Sequence, residues 1–246
     1  MKTTSLSLIL LMLFAPAAQA DWGKMLEDFK NAGKSMLGQE SSTAGLDNET
    51  MINGLREALE IGSRRAISTV SQQDGYLNNP KIRIPLPPRL QQASDLMKQF
   101  GMSQMAEDFE TSINRAAENA APQATELMIN AIKAMTIDDA RKMLQGENDA
   151  ATRYFEDKTR PQLATLFSPV VDDSLNQVGA TRYYNQLDEQ MQAMPLLGQN
   201  LNMDLTGYVT DQALNGLFVM LAAEELKIRE DPAARTTELL KKVFAK

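Results

Sequence analysis

The chain has 246 residues, 43% of them hydrophobic, with a formal net charge of -7 and a pI near 4.8. That length allows one large or two small domains with a real core, and the acidity excludes sequence-independent nucleic-acid binding, which needs a basic footprint. There is no Cys and no His, so disulfides, thiolate metal sites, cysteine nucleophiles and the usual general base are all missing, and any catalysis rests on carboxylates, Tyr, Lys or Ser.

Residues 1–20 read as a signal peptide. Lys2 supplies the positive start, Leu6 to Phe14 the apolar stretch, and Ala18-Gln19-Ala20 a small-x-small cleavage signature before Asp21. Cleavage after Ala20 leaves an exported, periplasmic chain, and the loss of Lys2 takes the formal charge from -7 to -8. No later segment is apolar enough to span a bilayer. Asp21 to Gly38 is amphipathic, with Trp22, Met25, Leu26, Phe29, Met36 and Leu37 on one stripe. The segment is expected to pack on the main body; the alternative is peripheral membrane or partner contact through residues 22–37. A Ser/Thr/Gly linker over residues 39–44 separates this 21–45 unit from a single helical domain over residues 46–246.

The domain opens with a long helix from Asp47 to Gln72, in which Ile52, Leu55, Leu59, Gly62, Ala66 and Val70 keep a helical period. Asp74-Gly75-Tyr76-Leu77-Asn78-Asn79-Pro80 is turn chemistry. Ile82, Ile84 and Leu86 then alternate with Lys81, Arg83 and Pro85, which describes an extended Pro-rich arm over residues 74–88. The arm is either a packed crossover or a functional loop. Pro88 starts a helix that Gly101 stops. Ser103 caps the next, with Phe109, Ile113, Ala116 and Ala120 inward. Pro122 opens another, and Thr136 with Asp139 resembles a capping box. Asn148 or Asp149 caps a helix whose apolar period continues past Pro161, where a kink or a break is expected. A helix follows over residues 181–194, Asp204 caps a long one through Arg229, and Asp231-Pro232 starts the last. The expected fold is all-α, one bundle of about eight to ten helices.

The strong catalytic and nucleotide motifs are missing. Asn200 to Asp211 mimics an EF-hand register, but Leu205 stands where Gly is required and the final Glu is lacking, so no metal and no cofactor is expected. Glu107, Thr111, Asn114 and Glu118 form a polar stripe opposite the apolar face of the Ser103 helix. Its plain reading is a solvated face, and its functional reading is one wall of a polar cavity. Tyr154 and Lys158, one turn apart, either converge on an anionic ligand group or pack and snorkel. Glu224, Glu225 and Arg229 lie in or near an apolar face, so a buried ion pair is expected there.

The segments Asp74 to Pro80 with Ile84-Pro85-Leu86-Pro87, Asn114 to Glu118, Asp149 to Thr152 with Tyr154-Phe155, Thr181 to Asn185 and Pro232 to Thr237 together resemble the bacterial domain-of-unknown-function 4197 family. The resemblance runs from about residue 45 to the end and leaves Asp21 to Ala44 outside. It implies an exported helical protein and brings no activity, so no catalytic residue is carried over. The motifs that carry it are polar and aromatic as well as apolar. They single out Asn114, Arg115, Glu118, Asp149, Thr152, Tyr154, Lys158, Tyr183, Arg229 and Arg235 as one shared polar network or ligand-binding site. The leading expectation is a non-catalytic binding protein for a small molecule or protein partner, with Arg235 near a helix start suited to an anionic group. One alternative is an enzyme using Glu118 or Glu225 as a carboxylate base with Tyr154 and Lys158. The other is an interaction protein whose polar core is purely structural.

Overall fold

The computed structural model describes residues 48–99, 103–177, 179–192, 203–230 and 243. The chain divides into units of residues 1–42 and 43–246, and every described residue belongs to the second. The expected signal peptide, the 22–37 stripe, the EF-hand-like register before Met203 and the C-terminal helix with Arg235 lie outside the described residues, Val243 excepted.

The described residues are all-helical: α1 (Asn48–Val70), α2 (Pro88–Gln99), α3 (Ser103–Ala120), a 3-10 turn (Ala121–Gln123), α4 (Ala124–Lys133), α5 (Ile137–Gln145), α6 (Ala150–Gln177), α7 (Ala180–Gln192) and α8 (Leu205–Glu230). No strand occurs among them. The α6 and α8 helices lie side by side, α1 packs on α8, and α3 packs on α6. One core runs through all four. Leu55 and Val70 enter it from α1, Phe109 and Ile113 from α3, Leu163 and Phe167 from α6, and Leu214 and Leu217 from α8.

Local chemistry explains most boundaries. Thr136 and Asp139 form the expected capping box at α5: the Asp139 N–H donates to the Thr136 hydroxyl, and the Thr136 N–H donates back to the Asp139 carboxylate. Asp204 caps α8 by accepting from the Gly207 N–H at 2.8 Å. Between α6 and α7 the backbone reaches φ +79 at Gly179, a left-handed conformation that Gly adopts without strain. Pro122 lies inside the 3-10 turn rather than opening an α-helix, and α4 begins two residues after it.

Of the kink or break expected at Arg160-Pro161, the break does not occur. The α6 helix runs 28 residues with Pro161 and Pro169 inside it, about 42 Å at the usual rise. Pro161 and Pro169 are exposed, while Leu163, Phe167 and Val171 are buried on the other side. Packing of that continuous face outweighs the lost backbone hydrogen bonds.

Residues 71–87 form turns and then an extended strap. Tyr76, Ile82, Ile84 and Leu86 are buried from it, so the strap fills the core as a helix would. Tyr76 fits against α8 at Gly216, where a Cβ would lie 2.6 Å from the tyrosine ring. Gly62 of α1 differs: a Cβ there would meet Ile228 and Glu224 at 3.4 and 3.6 Å, ordinary contact distances. The two glycines should therefore respond oppositely to alanine. In urea melts, Gly62→Ala is expected to raise stability by about 0.5–1 kcal/mol through helix propensity, and Gly216→Ala to lower it by about 1–3 kcal/mol through overpacking.

Candidate functional site

Two buried carboxylates organise the polar residues. The first is Glu118 on α3, 3% exposed. Its Oε1 accepts from the backbone N–H groups of Tyr76 and Leu77 at 3.1 and 3.3 Å, and its Oε2 accepts from Arg115 Nη1 at 2.7 Å. Arg115 Nη2 donates to Asp74 at 2.6 Å. Asp74 has φ 69, rare for a residue with a side chain, and its ion pair with Arg115 fixes the turn in that conformation. One helical turn earlier, Asn114 accepts from the Ile84 N–H and donates to the Ile84 carbonyl, both at 2.8 Å. The side-chain amide thus pairs with the strap as a neighbouring strand would.

The expected polar stripe on α3 therefore splits. Glu107 is exposed and Thr111 half-buried, while Asn114 and Glu118 are buried. The difference follows from the strap, which covers one end of the stripe and leaves the other to solvent. Burial pushes the Tyr76 phenol well above its usual range, helped by the Glu118 charge, and its hydroxyl donates to the Ala213 carbonyl of α8 at 2.7 Å.

The second carboxylate is Glu225 on α8, 7% exposed. It accepts from the N–H groups of Ala151 and Thr152 at 3.1 and 2.8 Å and from the Thr152 hydroxyl at 2.8 Å. These are free donors of the first turn of α6, so a side chain from another helix caps α6. Arg229 completes the group, donating to Glu225 at 2.8 and 3.0 Å and to the Met143 carbonyl near the end of α5 at 2.8 Å. This is the ion pair expected from the apolar face of α8.

Of the other described candidates, Asp149 stands at the edge of the capping joint, where the Arg229 charge reaches it. Asp149 pairs with Arg153, which holds its carboxyl below the usual range. The Tyr154 hydroxyl donates to Asp139 at 3.1 Å, and Lys158 is exposed with its Nζ 5.8 Å from the Tyr154 ring centre. Tyr183 is half-buried on α7, with the Arg182 guanidinium 5.2 Å from its ring. The strap joint reaches α8 at Ala213 and the capping joint at Glu225. Those positions are twelve residues apart, about 18 Å along the helix. The structure thus places Asn114, Arg115 and Glu118 together, Thr152 and Arg229 together, and Tyr154 with Lys158 as a third pair. The role of Glu225 as a remote cap was hidden, because nothing local to Ala150 predicts it; the apolar neighbours of Glu225 were its one signal.

A cleft lies beside the capping joint, lined by Ala58, Gly62, Ser63, Thr152, Leu221, Glu225 and others, with an inner volume of about 20 Å³. Among the described residues no group of three or more Asp or Glu is placed to hold a metal ion, and no helix is long and apolar enough to cross a membrane.

If the two joints are independent, their losses should add. Removing one partner of a buried pair costs about 3–5 kcal/mol, so Glu118→Ala and Glu225→Ala should each lower stability on that order. Glu118→Gln combined with Glu225→Gln should equal the sum of the single effects within about 0.5 kcal/mol in denaturant melts. Stability should also be flat from roughly pH 5 to 9, since the chain has no His or Cys. Asp139 titrates below its unfolded value because the Thr136 hydroxyl and N–H bind the carboxylate. Its contribution is present above about pH 4 and is lost as pH falls through the folded value. Tyr76, Tyr154 and Tyr208 are raised, chiefly by burial. Their contribution is present below about pH 10 and is lost at higher pH. Thermal melts across pH 3–11 check both limbs.

The chain matches the family model described as "Protein of unknown function (DUF4197)" over residues 45–245. No curated protein and no solved structure matches it.

Proposed function

From a chain that belongs to the DUF4197 family, we propose a non-catalytic binding protein of the periplasm, exported by its first 20 residues. One observation carries the reading. Of the three buried carboxylates among the described residues, Glu224 pairs with Lys227, and the two candidate bases are committed to structure: Glu118 holds two strap amides and Arg115, and Glu225 holds the start of α6 and Arg229. A general base must be free to reach a substrate proton, and moving either carboxylate away would unpair buried backbone donors. Tyr154 is likewise engaged with Asp139, and Lys158 stands in solvent. These contacts favour binding over turnover.

Native mass spectrometry of the chain starting at Asp21, purified gently from periplasm, tests this reading. The expected result is a non-covalent mass that disappears on denaturation. Adding the released material back at about 100 times its Kd should then stabilise the protein by about 2.7 kcal/mol. A bare chain in every spectrum, with no thermal shift from any periplasmic fraction, would sink the proposal.

A further inference from the structure

Every sulfur in this chain is a thioether, since it has 15 Met and no Cys. Met128, Met135 and Met143 are buried in the core. Met220 of α8 is only half-buried, and its Sδ accepts a hydrogen bond from the Asn79 side-chain Nδ2 at 3.6 Å. It stands where the strap meets α8, one turn beyond Gly216, which faces Tyr76 and Ile82. Its neighbour Val219 is exposed, so this edge of the contact is open to solvent.

Asn79 is fixed in place by the turn it closes. Its backbone carbonyl accepts from the Ile82 and Arg83 N–H groups at 3.1 and 2.8 Å. Its Oδ1 accepts from the Lys81 N–H at 3.1 Å, which turns Nδ2 toward the sulfur. A good amide donor is thereby spent on a weak acceptor. Met128 also accepts at sulfur, from the Thr159 hydroxyl at 3.7 Å, but it is 1% exposed. Among the described residues, Met220 alone combines a donor aimed at sulfur with a partly open position.

We propose that Met220 is a site of reversible oxidation by peroxide, and that Asn79 holds the oxygen it gains. The sulfur attacks one oxygen of hydrogen peroxide; the S–O bond forms as the O–O bond breaks. Sulfur gives up two electrons, and the leaving hydroxide takes the proton of the transferred oxygen and departs as water. In an apolar core the product sulfoxide is disruptive. Here a rotation about the flexible Cγ–Sδ bond brings the new oxygen within an ordinary N–H···O distance of Nδ2, about 2.7–3.2 Å. A weak acceptor becomes a strong one, so oxidation tightens the strap on α8. The inference is independent of the binding reading above.

The test treats the folded, isotope-labelled chain starting at Asp21 with dilute hydrogen peroxide. Peptide mass mapping should show Met220 oxidised at least about tenfold faster than Met128, Met135 and Met143, because exposure governs susceptibility. The Asn79 side-chain amide protons should move downfield on oxidation, and stay in place in peroxide-treated Met220→Leu. Methionine sulfoxide reductase should restore both signals. Asn79→Asp keeps the oxygen that Lys81 uses and removes the donor. Peroxide should therefore lower its urea midpoint more than that of the wild-type chain. Oxidation of Met220 no faster than of the buried three, an unmoved Asn79 amide, or equal midpoint shifts in the two chains would overturn the assignment.

Discussion

The Glu118 carboxylate is the interaction on which the rest of the fold depends. A strap of turns and extended backbone has no internal ladder to satisfy its amides, and burying such a segment is normally prohibitive. Here one side chain on α3 accepts the two amides that enter the core first, and Asn114, a turn away, serves a third. With those donors met, Tyr76, Ile82, Ile84 and Leu86 can be buried. The strap then supplies the surface on which α3 and α8 pack. The charge is tolerable because Arg115 and the amide dipoles surround it.

Glu225 solves the same problem at the other end of α8. The start of α6 lacks a local side-chain cap in its own sequence, since Asp149 is turned to Arg153. A carboxylate from α8 takes the place of that cap and sits at the positive end of the α6 dipole. Arg229 extends the same contact to the Met143 carbonyl in the last turn of α5. One acidic residue and one basic residue thereby fix the meeting of three helices. Both joints use polar groups to specify where elements meet, and both leave the surrounding packing apolar.

Elements governed by local rules were legible in the sequence. The α5 capping box, the Asp204 cap, the extended arm and the buried Glu225–Arg229 pair could all be read from residue type and spacing. Two features could not. Pro161 stops isolated helices, and only the tertiary burial of Leu163 and Phe167 keeps α6 unbroken. The candidate polar residues shared the resemblance but not one location, because motif membership carries no distance. Asn114 and Glu118 were distinguishable from Glu107 only once the strap had a position.

The prolines of the strap carry a consequence for solubility. In an extended segment the backbone groups of alternate residues face opposite ways. The Ile84 amide and carbonyl face α3 and are taken by Asn114. The opposite edge belongs to Arg83, Pro85 and Pro87. The Arg83 N–H is spent on the Asn79 carbonyl, the two prolines have no N–H, and the Pro85 carbonyl accepts from Tyr208. An apolar extended segment with a free edge is a template for strand addition between molecules. This edge offers no donor to an incoming strand, so the segment closest to a β-strand in the described structure cannot seed a sheet.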